Sequence, residues 1–333
     1  MRIVVVSSFP PRHCGIGAYA AAQVARLREE GHEVTVISPP DGDGDLRVPF
    51  SGGRPFRLAS RVGRGADRIV VHFQPALYYR PRAPVSKVAT SMALLELCRR
   101  RPQTEIVVHE ADTPKRWRPD YVLLGAAFRA APVLLFHTER ERRELERAYG
   151  IEVRSRLIPH GDGIRLHGAW TRETARDRLG VQADEVLFVA PGFIHPDKGL
   201  DRAVEAVALA GTGRLVIIGS VKDPSRRNLA YAEGLRELAG RVPNVDMVER
   251  YVGDDEFDAW LAAADAVVLP YRRSWSSGAL ARAQRLGTPA VVTAVGGLGE
   301  QASERDVVVH GDDELAAALA EIAARRHDAR AAR

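Results

Sequence analysis

Lys198 closes the segment Val189-Ala190-Pro191-Gly192-Phe193-Ile194-His195-Pro196-Asp197-Lys198-Gly199, an apolar run, a tight turn and a single cation at a helix start. The chain carries 48 basic residues, and only Lys87, Lys115, Lys198 and Lys222 are lysines, so a lysine departs from the local habit. A compact ammonium outside a parallel strand and beside a helix N-terminus suits a diphosphate, although the segment alone also allows a solvated surface lysine. Gly15-Ile16-Gly17 enters a second such turn, where backbone N–H groups can approach a phosphate or a sugar, or where the glycines serve only a tight bend. His109, followed by Glu110, ends a buried-type strand and is either a ligand contact or a satisfied strand-end histidine. Cys14 and Cys98 are the only cysteines, too few for a disulfide framework or a zinc ligand set.

These groups need elements to hold them. The first half alternates strand-like runs (Ile3 to Val6, Glu33 to Ser38, Arg68 to Phe73, Ile106 to His109, Val133 to His137) with helical stretches after Gly17, from Val85 to Cys98 and from Thr138 to Tyr149. Continuous apolar strands belong to parallel sheets covered on both faces. The second half repeats the scheme from Val186 to Val309. The fold class is therefore α/β, with two tandem Rossmann-like domains expected to face a central cleft. Their expected bounds are 1–165, 166–310 and a charged terminal helix over 311–333 that frays or folds back on the first domain. The join is placed between Gly161-Asp162-Gly163 and the polar stretch Thr171 to Arg178. Asp41 to Asp45 and Gly52 to Gly65 read as mobile loops. In open α/β sheets ligands bind beyond the carboxyl ends of the strands, which selects Ser7 to Gly17, His72, His109, His160, Gly192 to Lys198, Arg250-Tyr251, Tyr271 to Leu280 and Gly296-Gly297.

Composition narrows the function. With 45% hydrophobic and 27% charged residues over 333 positions, the chain fits two globular domains. No run reaches the ~20 apolar residues of a membrane span. Met1-Arg2 leads straight into the first strand without a signal-peptide pattern, so residence in the cytoplasm is expected. The net charge of +5 biases the surface toward anionic partners, including nucleotide-linked substrates and membrane head groups reached peripherally. No recognition-helix, zinc-finger or RNP-like pattern is present, and no nucleic-acid partner is expected.

In this order the segments resemble the GT-B glycosyltransferases, and among them the retaining enzymes of glycosyltransferase family 4. The resemblance rests on Phe9-Pro10-Pro11-Arg12-His13-Cys14-Gly15-Ile16-Gly17, Ile158-Pro159-His160-Gly161, Asp197-Lys198-Gly199, Ala264 to Tyr271 and Gly287-Thr288-Pro289-Ala290-Val291-Val292. It implies a hexosyltransferase-type enzyme that moves a sugar from a nucleotide diphosphate sugar to a small-molecule, glycan or lipid-linked acceptor, with no metal and no cofactor beyond that co-substrate. His109 and Lys198 are the implied catalytic pair. Donor contacts fall on Gly15, Ile16, Gly17, Phe193, Lys198, Arg250, Tyr251, Ser276, Ser277, Gly278, Ala279 and Leu280, and the acceptor side on His13, His72 and Gln74. Trp275 would wall the sugar pocket, and His160 would hold the interdomain turn.

The chain departs from that family in three places. Phe193 stands where an arginine is usual, leaving Arg250, Arg272 or Arg273 as substitutes. Ser274 and Arg282 stand where the family has two glutamates eight residues apart, one facing the donor sugar and one the ribose hydroxyls. Arg282 cannot accept ribose hydrogen bonds and reads as an exposed helix residue, while Glu300 reads as a helix-cap carboxylate or a partial replacement. Two other readings stay open at this stage: a non-catalytic relative that binds a nucleotide sugar or a partner, and a nucleotide-sugar epimerase or hydrolase.

Overall fold

The computed structural model describes every residue except 112, 113, 115, 116, 222, 332 and 333, and leaves the side chains of 329–331 undescribed. The chain separates into two compact units, Met1–Ile164 and Arg165–Arg333.

The first unit holds β1 (Arg2–Val6), β2 (Glu33–Ser38), β3 (Leu46–Arg47), β4 (Arg68–Phe73), β5 (Thr104–Val108), β6 (Val133–Phe136) and β7 (Ser155–Leu157). They form one sheet in the order β3-β2-β1-β4-β5-β6-β7, and every described pair is parallel. Val5 faces Val36 on one side and Val70 on the other, so β1 is central and apolar along its length. The helix Gly15–Glu29 lays Tyr19, Ala20, Val24 and Leu27 on this sheet. Gly31, at φ +82°, then reverses the chain into β2.

The segment Gly52 to Gly65 is not a mobile loop. It contains a helix, Arg54–Val62, that seals Phe56 and Ala59 completely. Gly53 starts it at φ +73°, and a Cβ there would lie 2.4 Å from the Ala93 side chain, so only glycine fits. The arginines on the outer face masked an apolar pair at helical spacing. A further helix over Pro119–Ala130 packs against the helix Pro84–Arg100.

The second unit holds β8 (Leu187–Pro191), β9 (Arg214–Gly219), β10 (Val245–Glu249), β11 (Ala266–Leu269), β12 (Ala290–Thr293) and β13 (Val307–Val309), in the parallel order β10-β9-β8-β11-β12-β13. The terminal helix, Asp312–Ala331, is part of the second unit: Leu315, Ala316, Leu319 and Ala323 are buried in its core, beside the helix Leu200–Ala210. Its four-residue apolar spacing is flanked by charges that read as a fraying tail. The polar stretch placed at the join also folds, as the helix Arg172–Leu179 capped by Thr171.

That helix carries the largest buried charge. Arg176 and Asp265 are both buried, with Nη2 to Oδ2 at 2.8 Å, and Asp265 also meets Arg172 at 2.8 Å and Arg326 at 2.7 Å. Three further bonds run from Arg176 Nη1 to carbonyls of Gln182, Ala183 and Glu185. In both sheets the strand order reverses beside the central strand, between β1 and β4 and between β8 and β11, which fixes where each unit offers a site. Asp265→Ala should strip the buried guanidinium of its counter-ion and lower stability by about 3–5 kcal/mol in urea unfolding. A loss under about 1 kcal/mol, the size of an exposed pair, would show that the cluster is solvated.

Candidate functional site

Beyond the carboxyl end of β1, the amides of Gly15, Ile16 and Gly17 have no acceptor among the described residues. Gly17 is there for packing, since a Cβ would come within 3.1 Å of Ser8 Oγ, whereas Gly15 faces open space. His13 is exposed and Cys14 is buried.

Four successive strand ends each deliver a histidine to the space above Tyr19. His72 ends β4, His109 follows β5, His137 follows β6 and His160 lies just beyond β7. All four rings meet the Tyr19 ring edge-on at centroid distances of 5.3–5.7 Å. His72 Nδ1 is 2.9 Å from His109 Nε2, and His72 Nε2 is 3.0 Å from Gln23 Oε1. His137 Nδ1 lies 3.2 Å from the carbonyl of Ile158, which can only accept, so the proton sits on Nδ1 and Nε2 is a buried lone pair without a partner. The His137 and His160 rings are 4.2 Å apart. Gly163 underlies Tyr19 so closely that a Cβ would fall 2.1 Å from the ring. Gln74 is turned aside, donating to Glu110 at 2.7 Å.

Burial keeps these imidazoles neutral. Desolvation lowers His72 to about 3, helped by His137, and lowers His160 to about 3, again with His137. His137 falls to about 4, desolvation outweighing the Ile158 carbonyl and Asp162. His109 is driven well below its ordinary value by desolvation and by its three neighbours.

In the second unit the loops beyond β8, β9, β11 and β12 interlock. A Cβ on Gly219 would collide with the Gly192 carbonyl, one on Gly199 with that of Pro270 and one on Gly296 with that of Ser274. The Asp197 carbonyl accepts the amides of Arg272 at 2.9 Å and Arg273 at 3.2 Å, binding the lysine turn to the loop after β11. Lys198 Nζ rests 3.7 Å from the centroid of the Tyr271 ring and forms no ion pair among the described residues. An ammonium on an aromatic face with no carboxylate beside it retains its charge for a ligand.

The loop after β11 leads to the helix Gly278–Leu286. Ser277 caps it, accepting from Leu280 N at 3.3 Å, and the Ser277 amide is itself taken by Gln301 Oε1 at 2.8 Å while Gln301 Nε2 donates back to Ser277 O at 2.7 Å. The amides of Ser277 and Leu280 are therefore unavailable to a ligand, contrary to expectation. Those of Gly278 and Ala279 have no acceptor among the described residues. Ser276 serves through its carbonyl, which accepts from Ser274 Oγ at 3.0 Å.

Of the three arginines considered as substitutes at Phe193, Arg250 is held by Glu256 at 2.5 and 2.8 Å and Arg272 by Asp201 at 2.6 and 2.7 Å. Arg273 is exposed and has no carboxylate partner among the described residues. Tyr251, beyond β10, is 44% exposed. Arg282 is not an exposed helix residue: its side chain is 12% exposed and meets Asp254 at 2.9 Å, Asp258 at 3.1 Å and the Arg165 carbonyl at 3.1 Å. It ties its helix to the helix Asp254–Ala263. Glu300 is exposed on the short helix Leu298–Gln301.

The structure thus gathers His72, His109 and His160 at one site and Phe193, Lys198, Arg273, Gly278 and Ala279 at the loops of the other. His72 is fully buried, so it does not meet an acceptor directly but supports His109. Tyr19, Gln23, His137 and Gln301 were missed. The signal for His137 was present, a histidine closing each of the successive strands β4, β5 and β6.

Residues 183–325 match the family described as glycosyl transferases group 1. Among curated proteins, D-inositol 3-phosphate glycosyltransferase of Streptomyces scabiei is 34% identical over 181 residues, 51% of this chain and 40% of that protein. The same-named protein of Thermomonospora curvata is 30% identical over 225 residues, 61% of this chain and 51% of that one. The matches therefore span about half the length of these relatives or less. Among solved structures, sucrose-phosphate synthase from Thermosynechococcus elongatus superposes with a TM-score of 0.72 at 20% identity, covering 98% of this chain and 90% of that one. Anabaena HepE in complex with UDP-glucose gives 0.68 at 15% identity, with 98% and 94% covered. The fold is GT-B, as the sequence implied.

The histidine cluster makes the first unit acid-sensitive. The unfolded chain takes up protons at the ordinary histidine value of ~6.5, the native cluster only near 3–4. Its stability is therefore complete above about pH 6.5 and is lost as the pH falls toward about 4. Urea midpoints should drop steadily from about pH 7.5 to about pH 5, and less steeply in His160→Gln. An unchanged midpoint over that range would mean the cluster is protonated in the native state.

Proposed function

From a second unit that carries the glycosyl transferases group 1 domain, we propose that the protein transfers a sugar from a nucleotide diphosphate sugar to a hydroxyl acceptor, with retention and without a metal ion. The observation that carries this reading is Lys198, a cation without a counter-ion among the described residues, tied through the Asp197 carbonyl to Arg273 and lying in the loops that lead to the amides of Gly278 and Ala279, which no described residue accepts. A diphosphate supplies the missing negative charge, and two amides at a helix start donate to its oxygens. Tyr251 stacks on the base, whose edge is read by the backbone beyond β10.

As the bond from the anomeric carbon to the phosphate oxygen breaks, Lys198 and Arg273 neutralise the leaving charge. The acceptor oxygen bonds to the same face of that carbon, and its proton passes to the departing phosphate oxygen. No protein carboxylate is then required, in keeping with Ser274 and Arg282 at the two usual acidic positions. His109 contacts a sugar hydroxyl in the first unit. The curated relatives named D-inositol 3-phosphate glycosyltransferases support a polyol or its phosphate as acceptor class. Residence in the cytoplasm is part of the same reading.

Thermal shift against UDP, GDP, ADP, CDP and dTDP, with a chelator present, tests the donor side. One diphosphate should raise the melting temperature. Lys198→Ala should weaken its binding about 10- to 100-fold, the worth of a charged hydrogen bond, with an unchanged melting temperature for the free protein. No shift with any diphosphate, or an unchanged affinity in the variant, would overturn the assignment. Binding without release of nucleoside diphosphate across acceptors would leave a non-catalytic binder instead.

A further inference from the structure

Beneath His109 lies a chain of polar groups that the transfer reaction does not itself call for: Gln23 Oε1, 3.0 Å from His72 Nε2, and His72 Nδ1, 2.9 Å from His109 Nε2. We propose that Gln23 and His72 are positioning residues that fix the proton of His109 on Nε2, so that His109 Nδ1 is presented to the ligand as a hydrogen-bond acceptor.

The argument starts at the amide. With Oε1 toward the ring, Gln23 can only accept, so His72 carries its proton on Nε2. A neutral imidazole has one N–H, which leaves His72 Nδ1 a lone pair. That lone pair needs a donor, and the group at 2.9 Å is His109 Nε2. His109 is in turn neutral, because burial and three neighbouring imidazoles oppose a charge, so its Nδ1 holds the remaining lone pair. No described residue hydrogen-bonds that nitrogen, and His109 is only partly buried, so Nδ1 is open to a ligand. His72 is completely buried, which excludes water as an alternative partner that could scramble the order.

The consequence is chemical selection. A bare Nδ1 accepts from a hydroxyl, as of a sugar or polyol, and repels a carbonyl, carboxylate or ionised phosphate oxygen, which brings only lone pairs. What that nitrogen meets rests on the glycosyl-transfer reading; which nitrogen carries the proton does not. The same four rings leave His137 Nε2 as a second lone pair, but a buried one, so the acceptor presented to a ligand is His109 Nδ1 alone among these two.

The test is long-range proton–nitrogen NMR on histidine-labelled, ligand-free protein, which reads the tautomer of each ring. In the natural protein His109 and His72 should both be Nε2–H. In Gln23→Met the acceptor is gone, and a buried orphan N–H on His72 is worse placed than an orphan lone pair. The chain should then reverse, with His72 donating from Nδ1 and His109 moving to Nδ1–H. In Gln23→Glu, an acceptor again, the original order should return at about pH 9, where a carboxylate-bound imidazole is neutral. A merely structural role for Gln23 would not move the His109 tautomer. Nδ1–H on His109 in the natural protein, no change in Gln23→Met, or failure of Gln23→Glu to restore Nε2–H would each overturn the proposal. Because no ligand is used, these failures are distinct from a failure to bind nucleoside diphosphates.

Discussion

Every described strand pair in both sheets is parallel, and that constraint governs where chemistry can occur. Parallel pairing sends each connection back to the same starting edge, mostly through a helix, so all carboxyl ends, and the loops that follow them, gather on one side of their own sheet. Side chains from residues as distant in sequence as Gln23, His72, His109, His137 and His160 become neighbours for no other reason. The same geometry brings Asp197, beyond β8, into hydrogen-bond reach of Arg272 and Arg273, beyond β11.

The two gathered sites differ in electrical character. In the first unit burial removes charge: four imidazoles are held neutral, and the group becomes an array of single donors and lone pairs whose order is set by Gln23 and the Ile158 carbonyl. In the second unit charge is conserved. Arg176, Arg250, Arg272 and Arg282 are each met by a carboxylate, while Lys198 and Arg273 are not. These four arginines are neutralised where they stand, while Lys198 ends the turn that leads into the helix Leu200–Ala210 with no ion-pair partner among the described residues.

Much of this could be read in the sequence. The strands were legible because parallel strands buried on both faces are uninterrupted apolar runs, as in Val70-Val71 and Val267-Val268. Lys198 was legible because it is rare in this chain and follows such a run. What escaped was set by partners distant in sequence. Gln23 is an ordinary helix residue until β4 brings His72 to its amide. Arg282 looked exposed because nothing nearby in the chain reveals Asp254 and Asp258. The helix Arg54–Val62 was hidden by its own charged face, with Phe56 and Ala59 giving too short an apolar pattern to stand out. The role of Ser277 was misjudged for a related reason, since Gln301 lies 24 residues away and on another helix.

Gln301 also shows how the second site is kept ready. The loop after β11 carries Ser274 rather than a carboxylate, and Arg282 beyond it is tied to Asp254 and Asp258, so the position of the backbone matters more there. The two bonds between Gln301 and Ser277, the cap from Ser277 to Leu280 and the Gly297 amide on the Trp275 carbonyl at 2.6 Å together fix both ends of that loop. Each bond consumes a backbone group that could have met a ligand. What remains unbonded, the amides of Gly278 and Ala279, is consequently held in one direction, and a donor that is already oriented loses little entropy on binding. Amides fixed in this way are preorganised donors.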